Sequence, residues 1–371
     1  MFARSLLLSA LASGYSGCAP YRPPPEPPRL VQAQAPARVV EAEGPPAVSV
    51  VIRAGSAYDP PSREGLAFVS AQELAGRAGV AVEVGPELVR FTASTPDQVA
   101  ALARVFSAPG AVEAIEQARA QAFAALDGGD CEPTVAAAAA TWAHVGHPYG
   151  HAVAGRRSVL PTLTLAEIEG FRARRYVRDA LVLVRSGGLD PAPLSLVAAP
   201  VMSPLVTPTV RSGVPRGDLQ VSAPVATGCE ATAPRKPAAW TALDEASFRV
   251  AAQLAGASPP PPLVDALPVL IHTSRPTGDF ASAVAAVRAE ATRPLRLAAD
   301  VLLAPVRSAA SPASKAVLAA LDTLTEPGLV AWTLATFGPD AVHVRVVPAE
   351  SPGGGAVSAA PSPLPFAELT R

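Results

Sequence analysis

Three histidines at short spacing are the residues of this chain best suited by type to metal chemistry. His144, His147 and His151 form the pattern His-x-x-His-x-x-x-His, and neutral imidazole is a common zinc ligand. The pattern therefore admits a metal site and an enzyme that uses it. Pro148 and Gly150 favour a structural role instead, because they break any helix that would bring the three rings together.

Other candidate nucleophiles and ligands lack the surroundings that their chemistry needs. Cys131 lies in the acidic run Asp127-Gly-Gly-Asp-Cys-Glu132, which disfavours the thiolate of a nucleophile. This run also lacks calcium-loop spacing, and we interpret it as a turn between helices. No Gly-x-Ser-x-Gly segment exists for a serine hydrolase, and Gly353–Gly355 lacks the Lys-Ser/Thr of a phosphate loop. In an oxidising compartment Cys131 and Cys229 either pair or stay as free thiols.

The composition excludes two broad classes of protein. Of the 371 residues, 49% are hydrophobic and 16% are charged, so the chain can bury a core and is not disordered throughout. The net charge is −1 and no run of four or more Lys and Arg occurs, which argues against nucleic-acid binding. Pro is the anomaly: its 42 residues are unevenly spread and mark segments that do not pack.

Residues 1–18 are predicted to be a lipoprotein signal peptide. Met1–Arg4 is a short basic region, and Ser5–Ala12 is an apolar run too short to span a membrane. Tyr15-Ser-Gly17 directly before Cys18 is similar to a bacterial lipoprotein box, in which the cysteine is lipidated and becomes the mature N-terminus. Ordinary secretion with cleavage nearby is the alternative.

Changes in Pro, Gly and apolar content divide the rest of the chain. Residues 19–37 are a Pro-rich tether, since Pro at this density favours an extended, unpacked backbone. Four further segments follow: an α+β domain, a Pro-rich linker or irregular segment, a second α+β domain and a flexible tail. They cover residues 38–188, 189–240, 241–348 and 349–371.

Apolar periodicity and capping residues predict the elements of both domains. The first domain has predicted strands at Val48–Ile52, Val80–Val84, Leu88–Ala93 and Ala180–Arg185. Its predicted helices are Gly65–Ala78, one that begins at Thr95, Ala111–Leu126, Pro133–Trp142 and Thr164–Tyr176. The second has strands at Phe248–Ala252 and Ala341–Val347, and helices around Leu263 and at Ala281–Thr292, Ala313–Leu324 and Gly328–Phe337. Both domains end as helix, short break and strand, which hints at duplication.

The ordered series of motifs in the first domain resembles the insulinase/pitrilysin-type zinc peptidases. Val48–Pro60 followed by Gly65-Leu-Ala67 is similar to their first strand and helix, and Gly146–Gly150 matches their His-Pro-Tyr-Gly segment. The spacing from Gly155 to the strand Leu181–Val184 also fits. The resemblance implies two homologous α+β domains, each a mixed or antiparallel sheet packed with helices, of which the second is shortened here.

The residues that carry that family's chemistry are missing. The family binds zinc through His-x-x-Glu-His on the first helix, and the matching positions are Phe68, Ala71 and Gln72. The third ligand, a Glu, falls on Gln121–Leu126, which has no carboxylate; the nearest, in Glu113–Glu116, are about two turns away. The tyrosine that helps bind substrate in the family's second domain has no counterpart, since the chain has no Tyr after Tyr176.

The resemblance therefore implies a catalytically inactive relative that holds no zinc or other cofactor. We predict the non-catalytic subunit of a zinc peptidase complex, which pairs with a catalytic subunit and helps enclose and bind peptide substrate. Lipid at Cys18 would hold its domains in the periplasm, with the outer membrane favoured over the inner. The alternatives are a stand-alone envelope binding or scaffold lipoprotein, and an enzyme built on the three histidines.

Overall fold

The computed structural model describes residues 38–127, 138, 148–194, 219–223, 229–233, 240–256, 270–272, 279–304, 312–337 and 342–348. The strands are β1 Arg38–Glu41, β2 Ala47–Ile52, β3 Ala81–Val84, β4 Val89–Ala93, β5 Leu181–Ser186, β6 Leu219–Ala223, β7 Cys229–Ala233, β8 Leu270–His272 and β9 Val342–Pro348. The helices are α1 Leu66–Ala78, α2 Pro96–Ser107, α3 Val112–Asp127, α4 Leu165–Arg175, α5 Ala242–Leu254, α6 Phe280–Ala291, α7 Pro294–Leu302, α8 Ser314–Leu321 and α9 Glu326–Thr336. The predicted α+β class is confirmed.

The first sheet has the strand order β1-β5-β2-β4-β3. β1 runs parallel to β5, with Glu41 opposite Arg185, and the other neighbouring strands are antiparallel. Successive side chains of a strand lie on opposite faces. Val48, Val50 and Ile52 of β2 therefore enter one core, which they share with α1, α2, α3 and α4.

The other face of this sheet packs against α7, which follows much later in the chain. Val51 of β2 and Val182 and Val184 of β5 form a second core with Ala298 and Leu302 of α7. Strand β5 is thus buried on both faces, which explains its unbroken Leu-Val-Leu-Val sequence. α7, which starts with Pro294 at its first position, is not among the predicted helices.

The second sheet has the order β6-β9-β7-β8, with β6 parallel to β9 and the remaining pairs antiparallel. This repeats the β1-β5-β2-β4 part of the first sheet in order and direction. The two halves of the chain, whose sequences both end as helix, short break and strand, therefore also share an arrangement of four strands. The division into two homologous domains at the expected boundaries stays a prediction.

Two predictions for the second half are corrected. Phe248–Ala252 is not a strand but part of α5, which begins with a capping box between Thr241 and Asp244. The short apolar run fits a buried helix as well as a strand. The segment 189–240, expected to be a linker or irregular, contains β6 and β7, whose alternating sequences Leu-Gln-Val-Ser-Ala and Cys-Glu-Ala-Thr-Ala suit strands.

The other predicted elements of the described ranges are confirmed to within a few residues. Several expectations lie outside the described residues. These are the signal peptide with Cys18, the tether, the helix near Leu263 and the tail; of the helix Pro133–Trp142 only Ala138 is described.

Candidate functional site

Helix α1 carries the positions at which the sequence places the zinc motif, and Asp59 fixes where it begins. The two Asp59 carboxylate oxygens accept hydrogen bonds from the backbone N–H groups of Gly65 and Ala67, both at 2.7 Å. A carboxylate here satisfies donors that a helix start leaves free. Burial raises the pKa of the Asp59 carboxyl to about 8, and the two N–H groups act in the opposite direction.

A loop from the His-Pro-Tyr-Gly region closes over the start of α1. Gly65 has a φ of 105°, which favours glycine. A Cβ on Gly65 would lie 2.7 Å from a Leu160 methyl carbon, and one on Gly155 would collide with the Gly65 backbone. The two glycines therefore permit a backbone approach that larger residues would prevent.

Phe68, Ala71 and Gln72 lie on one face of α1, because residues three and four apart in a helix are neighbours. Phe68 is half-buried and packs against the first core, Ala71 is 0% exposed, and Gln72 is half-buried. The structure thus brings together the three positions that the sequence singled out. None of them offers the imidazole or carboxylate that a zinc site requires.

Helix α3, where a third zinc ligand would lie, packs against α1. It offers no side chain that could bind zinc at this contact. Its buried positions are Ile115, Ala118 and Ala122. Glu113 and Glu116 are exposed, and Glu116 pairs with Arg119 on the same helix. The residues present therefore do not fit a zinc ion. In the part of the chain that the structure describes, no three His, Cys, Asp or Glu side chains are grouped so as to hold a metal.

A buried carboxylate on α1, Glu73, is not among the functional residues that the sequence patterns indicate. Glu73 is 0% exposed and pairs with Arg77 at 2.7 Å and with Arg172 of α4 at 3.2 Å. It also accepts a hydrogen bond from the Ala111 backbone N–H at the start of α3. Only the Glu73–Arg77 spacing of four residues is visible in sequence.

Glu73 does not replace the missing general base. It lies two positions beyond Ala71, so it leaves α1 on a different side of the helix. A register that put Glu73 in the motif would place Ser70 and Leu74 at the histidine positions, and neither binds zinc. Its contacts make it a structural tie between α1, α3 and α4.

A second buried cluster explains the His-Pro-Tyr-Gly segment. Tyr58 donates to one oxygen of Glu87 at 2.5 Å, and Tyr149 donates to the other. Arg53 donates to the Tyr58 hydroxyl at 2.5 Å, and the Arg175 guanidinium lies 4.7 Å from the Tyr58 ring centre. Burial raises the pKa of Tyr58 above its usual value. The segment thus anchors its loop to the turn between β3 and β4.

The structure does not test the histidine group as a whole. His144 and His147 lie outside the described residues. His151 is half-buried, and its Nδ1 lies 3.1 Å from the carbonyl oxygen of Ala152. Cys131 also lies outside the described residues, and Cys229 is part of β7.

Similarity to known proteins is found at the level of structure alone. No protein-family model matches the sequence, and no curated protein matches it. The peptidase M16 inactive domain from Pseudomonas fluorescens superposes with a TM-score of 0.55 at 16% identity, covering 84% of this chain and 94% of that one. An M16-like peptidase from Alicyclobacillus acidocaldarius gives 0.50 at 16% identity, covering 85% and 98%. The fold is that of the M16 peptidases.

A chain of a multi-subunit complex also has a similar structure. A chain of Complex III2 from Candida albicans matches with a TM-score of 0.61 at 13% identity, covering 83% of this chain and 93% of that one. The expected insulinase-type architecture is therefore confirmed as a fold. The assignment of Phe68, Ala71 and Gln72 to the zinc-motif positions rests on the sequence resemblance and stays a prediction. These side chains supply apolar and neutral contacts, and none of them activates water.

Proposed function

We propose that this protein is a non-catalytic M16-fold subunit that pairs with an active zinc peptidase and helps enclose and bind its peptide substrate. One observation carries the proposal: in a chain with the M16 fold, Phe68, Ala71 and Gln72, to which the sequence resemblance assigns the zinc motif, share one face of α1. Among the described residues, Asp59 and the Glu73–Arg172 ion pair hold α1 in place. A retained scaffold without ligands suits binding and support.

The neighbours add to this proposal. The Pseudomonas fluorescens structure is described as an inactive domain of peptidase M16. The Candida albicans chain is part of Complex III2, so this fold also serves within an assembly. Both features are compatible with a supporting subunit, and neither requires a metal in this chain.

The first experiment measures zinc and peptide cleavage on the purified, isolated protein. We expect zinc well below one ion per chain and no chelator-sensitive cleavage of a quenched fluorescent peptide library. Stoichiometric zinc, or cleavage that a chelator abolishes, contradicts the proposal. If cleavage is found, replacing His144, His147 and His151 with Ala tests the enzyme alternative.

The second experiment tests the partner. A homologue with an intact His-x-x-Glu-His motif, if encoded beside this gene, is co-expressed with the protein. We expect a stable complex whose peptide affinity exceeds that of the homologue alone. The protein eluting by itself, with unchanged kinetics of the homologue, contradicts the subunit role and favours a stand-alone envelope binding or scaffold protein.

We also propose that Cys18 carries lipid and holds the protein at the periplasmic side of a bacterial membrane. The support is the sequence around Cys18 and the Pro-rich tether after it. Within the ranges that the structure describes, no helix has the length and apolar character to cross a bilayer. Mass spectrometry of the mature N-terminus tests this, with Cys18→Ser as control. Cleavage at another residue without lipid supports ordinary secretion instead.

A further inference from the structure

We infer that the guanidinium of Arg175, which lies against the ring of Tyr58 at the end of α4, is a binding site for a carboxylate group. Arg175 is half-buried, and its guanidinium carbon lies 4.7 Å from the centre of the Tyr58 ring. Among the residues that the structure describes, no carboxylate or carbonyl oxygen is paired with Arg175. The site does not rest on the proposed function, because a small carboxylate can occupy it without a partner subunit.

The contact with the ring leaves the hydrogen-bonding capacity of Arg175 unused. A guanidinium carries five N–H donors and no acceptor, and its attraction to the face of an aromatic ring involves its charge and not these donors. Polar groups that leave water usually find a partner in the protein or in a ligand. Since the planar fork of a guanidinium matches the two oxygens of a carboxylate, a carboxylate is the partner that suits Arg175.

The acidic side chain of the cluster around Tyr58 is already in use. Glu87 accepts hydrogen bonds from the hydroxyls of Tyr58 and Tyr149, and one of its oxygens lies 3.9 Å from Arg53 Nε. The Arg53 guanidinium carbon is 5.5 Å from the centre of the Tyr58 ring. Two guanidinium groups therefore lie close to one ring, and Glu87 balances the charge of Arg53. The charge of Arg175 is left for a ligand to balance.

Arg174 adds positive charge to this end of α4 without forming part of the site. It is exposed and folds back along the helix, since a Cβ on Gly170 would lie 3.2 Å from a terminal nitrogen of Arg174. Burial lowers the pKa of Arg175, which Tyr58 opposes. The charges of Arg174 and Arg53 lower that pKa further. An anion beside Arg175 relieves this repulsion, because opposite charge favours the charged form of a group.

A carboxylate fits the site better than a phosphate does. One guanidinium provides paired N–H groups for a planar anion, whereas a phosphate offers more oxygens and more charge than one guanidinium satisfies. Arg53 adds no donor to the ligand, because it is 3% exposed and its Nε is bound to the Tyr58 hydroxyl. Binding through one arginine is weak, so we expect dissociation constants on the order of 1–10 mM. The C-terminus of a peptide and small free acids both carry such a group.

The binding test titrates acetate into the purified protein while chloride keeps the ionic strength constant. We expect one arginine Nε–H resonance to shift saturably and the melting temperature to rise with acetate concentration. Arg175→Gln should weaken binding at least about tenfold. The matched control is Arg174→Gln, which removes the same charge from an exposed neighbour and should weaken binding less than about twofold. Equal losses in the two variants, or no saturable binding to the wild type, overturn the proposal.

A second variant covers the case in which Arg175→Gln does not fold. Arg175→Lys keeps a positive charge for the Tyr58 ring but lacks the planar fork. It should bind acetate about fivefold less tightly than the wild type. Affinity equal to that of the wild type would contradict paired binding by the guanidinium and overturn the carboxylate assignment.

The source of the carboxylate is distinguished with N-acetyl-dialanine and its C-terminal amide. Tighter binding of the dipeptide acid than of acetate supports the C-terminus of a peptide as the ligand, and equal binding supports a small free acid. Binding of the amide as tight as that of the acid overturns the proposal, because recognition would then not involve the carboxylate. The zinc content and peptide cleavage that test the proposed function are separate measurements, so either proposal can fail alone.

Discussion

The Glu73 carboxylate on α1 and the Arg172 guanidinium on α4 lie 3.2 Å apart with both side chains buried. Arg172 also donates to the carbonyl oxygens of Val105 and Ala108 at the end of α2. The Glu73–Arg172 ion pair therefore joins α1 to α4, and the two further hydrogen bonds of Arg172 extend this contact to the end of α2. Burial lowers the pKa of Arg172, while the nearby Glu73 opposes that shift.

Removing the charge of Glu73 should destabilise the protein strongly. Glu73→Gln leaves Arg172 buried without its partner, which is expected to lower the free energy of unfolding by about 3–5 kcal/mol. Urea unfolding measures the change. The matched control is Glu113→Gln on α3, where the carboxylate is exposed, and it should change stability by less than about 0.5 kcal/mol. Equal effects of the two substitutions would contradict the role given to Glu73.

The cluster around Glu87 makes a second stability prediction. Tyr149→Phe removes one donor from a carboxylate that is 0% exposed, and should cost about 1–3 kcal/mol. Glu83→Gln is the control, because Glu83 pairs with Arg90 at an exposed position. Hydrogen exchange should also rise in the loop that carries Tyr149. Unchanged exchange in that loop would show that Glu87 does not anchor it.

Two buried tyrosines predict a loss of stability at alkaline pH. Burial raises the pKa of Tyr58 and Tyr176 in the folded state above the ordinary value near 10. Above pH 10 the unfolded chain therefore loses these protons first. Stability is complete below pH 10 and should fall above it by up to about 1.4 kcal/mol per pH unit for each tyrosine.

Urea unfolding between pH 8 and 11.5 measures that slope. Tyr176→Phe should make it shallower, whatever its effect at pH 8. The chain has only two lysines, Lys236 and Lys315, and the other groups that titrate in this range are the same in wild type and variant, so the difference between the two slopes reports on Tyr176. A slope that is identical in wild type and variant would refute the assignment to Tyr176.

The packing of α7 on the first sheet makes a fourth prediction. Leu302 is 5% exposed in the core that it shares with Val182 and Val184, and Leu302→Ala should cost about 2–5 kcal/mol. Leu334→Ala on α9 is the same substitution at a residue that is 55% exposed, and should be nearly neutral. We further expect Leu302→Ala to destabilise the first sheet, seen as faster hydrogen exchange in β5. Protection of β5 that stays at the wild-type level would contradict the packing.

The sequence predicted α1 well because the signals are local. Gly65 and Gly79 mark its ends, and the pattern Thr164 to Glu167 forms the expected capping box at the start of α4. The assignment of the zinc motif to Phe68, Ala71 and Gln72 rests on the resemblance in sequence and stays a prediction.

What the sequence could not predict depends on partners that are distant along the chain. Glu73 and Arg172 are 99 residues apart, and Tyr149 and Glu87 are 62 apart. The run at Phe248–Ala252 gives no periodic signal that separates a strand from a helix buried on most sides, and the Thr241 capping box decides between them. Strands β6 and β7 were hidden by the Pro and Gly around them.

Pairing between β1 and β5 has a consequence for how the chain folds. Glu41 and Arg185 lie opposite each other in parallel strands although 144 residues separate them. During synthesis the N-terminal part of the chain is made first. β1 therefore exists before β5, the strand with which it pairs. The same holds for β6, which waits for β9. Such high contact order slows folding, so neither sheet can be completed until β5 or β9 has been synthesised.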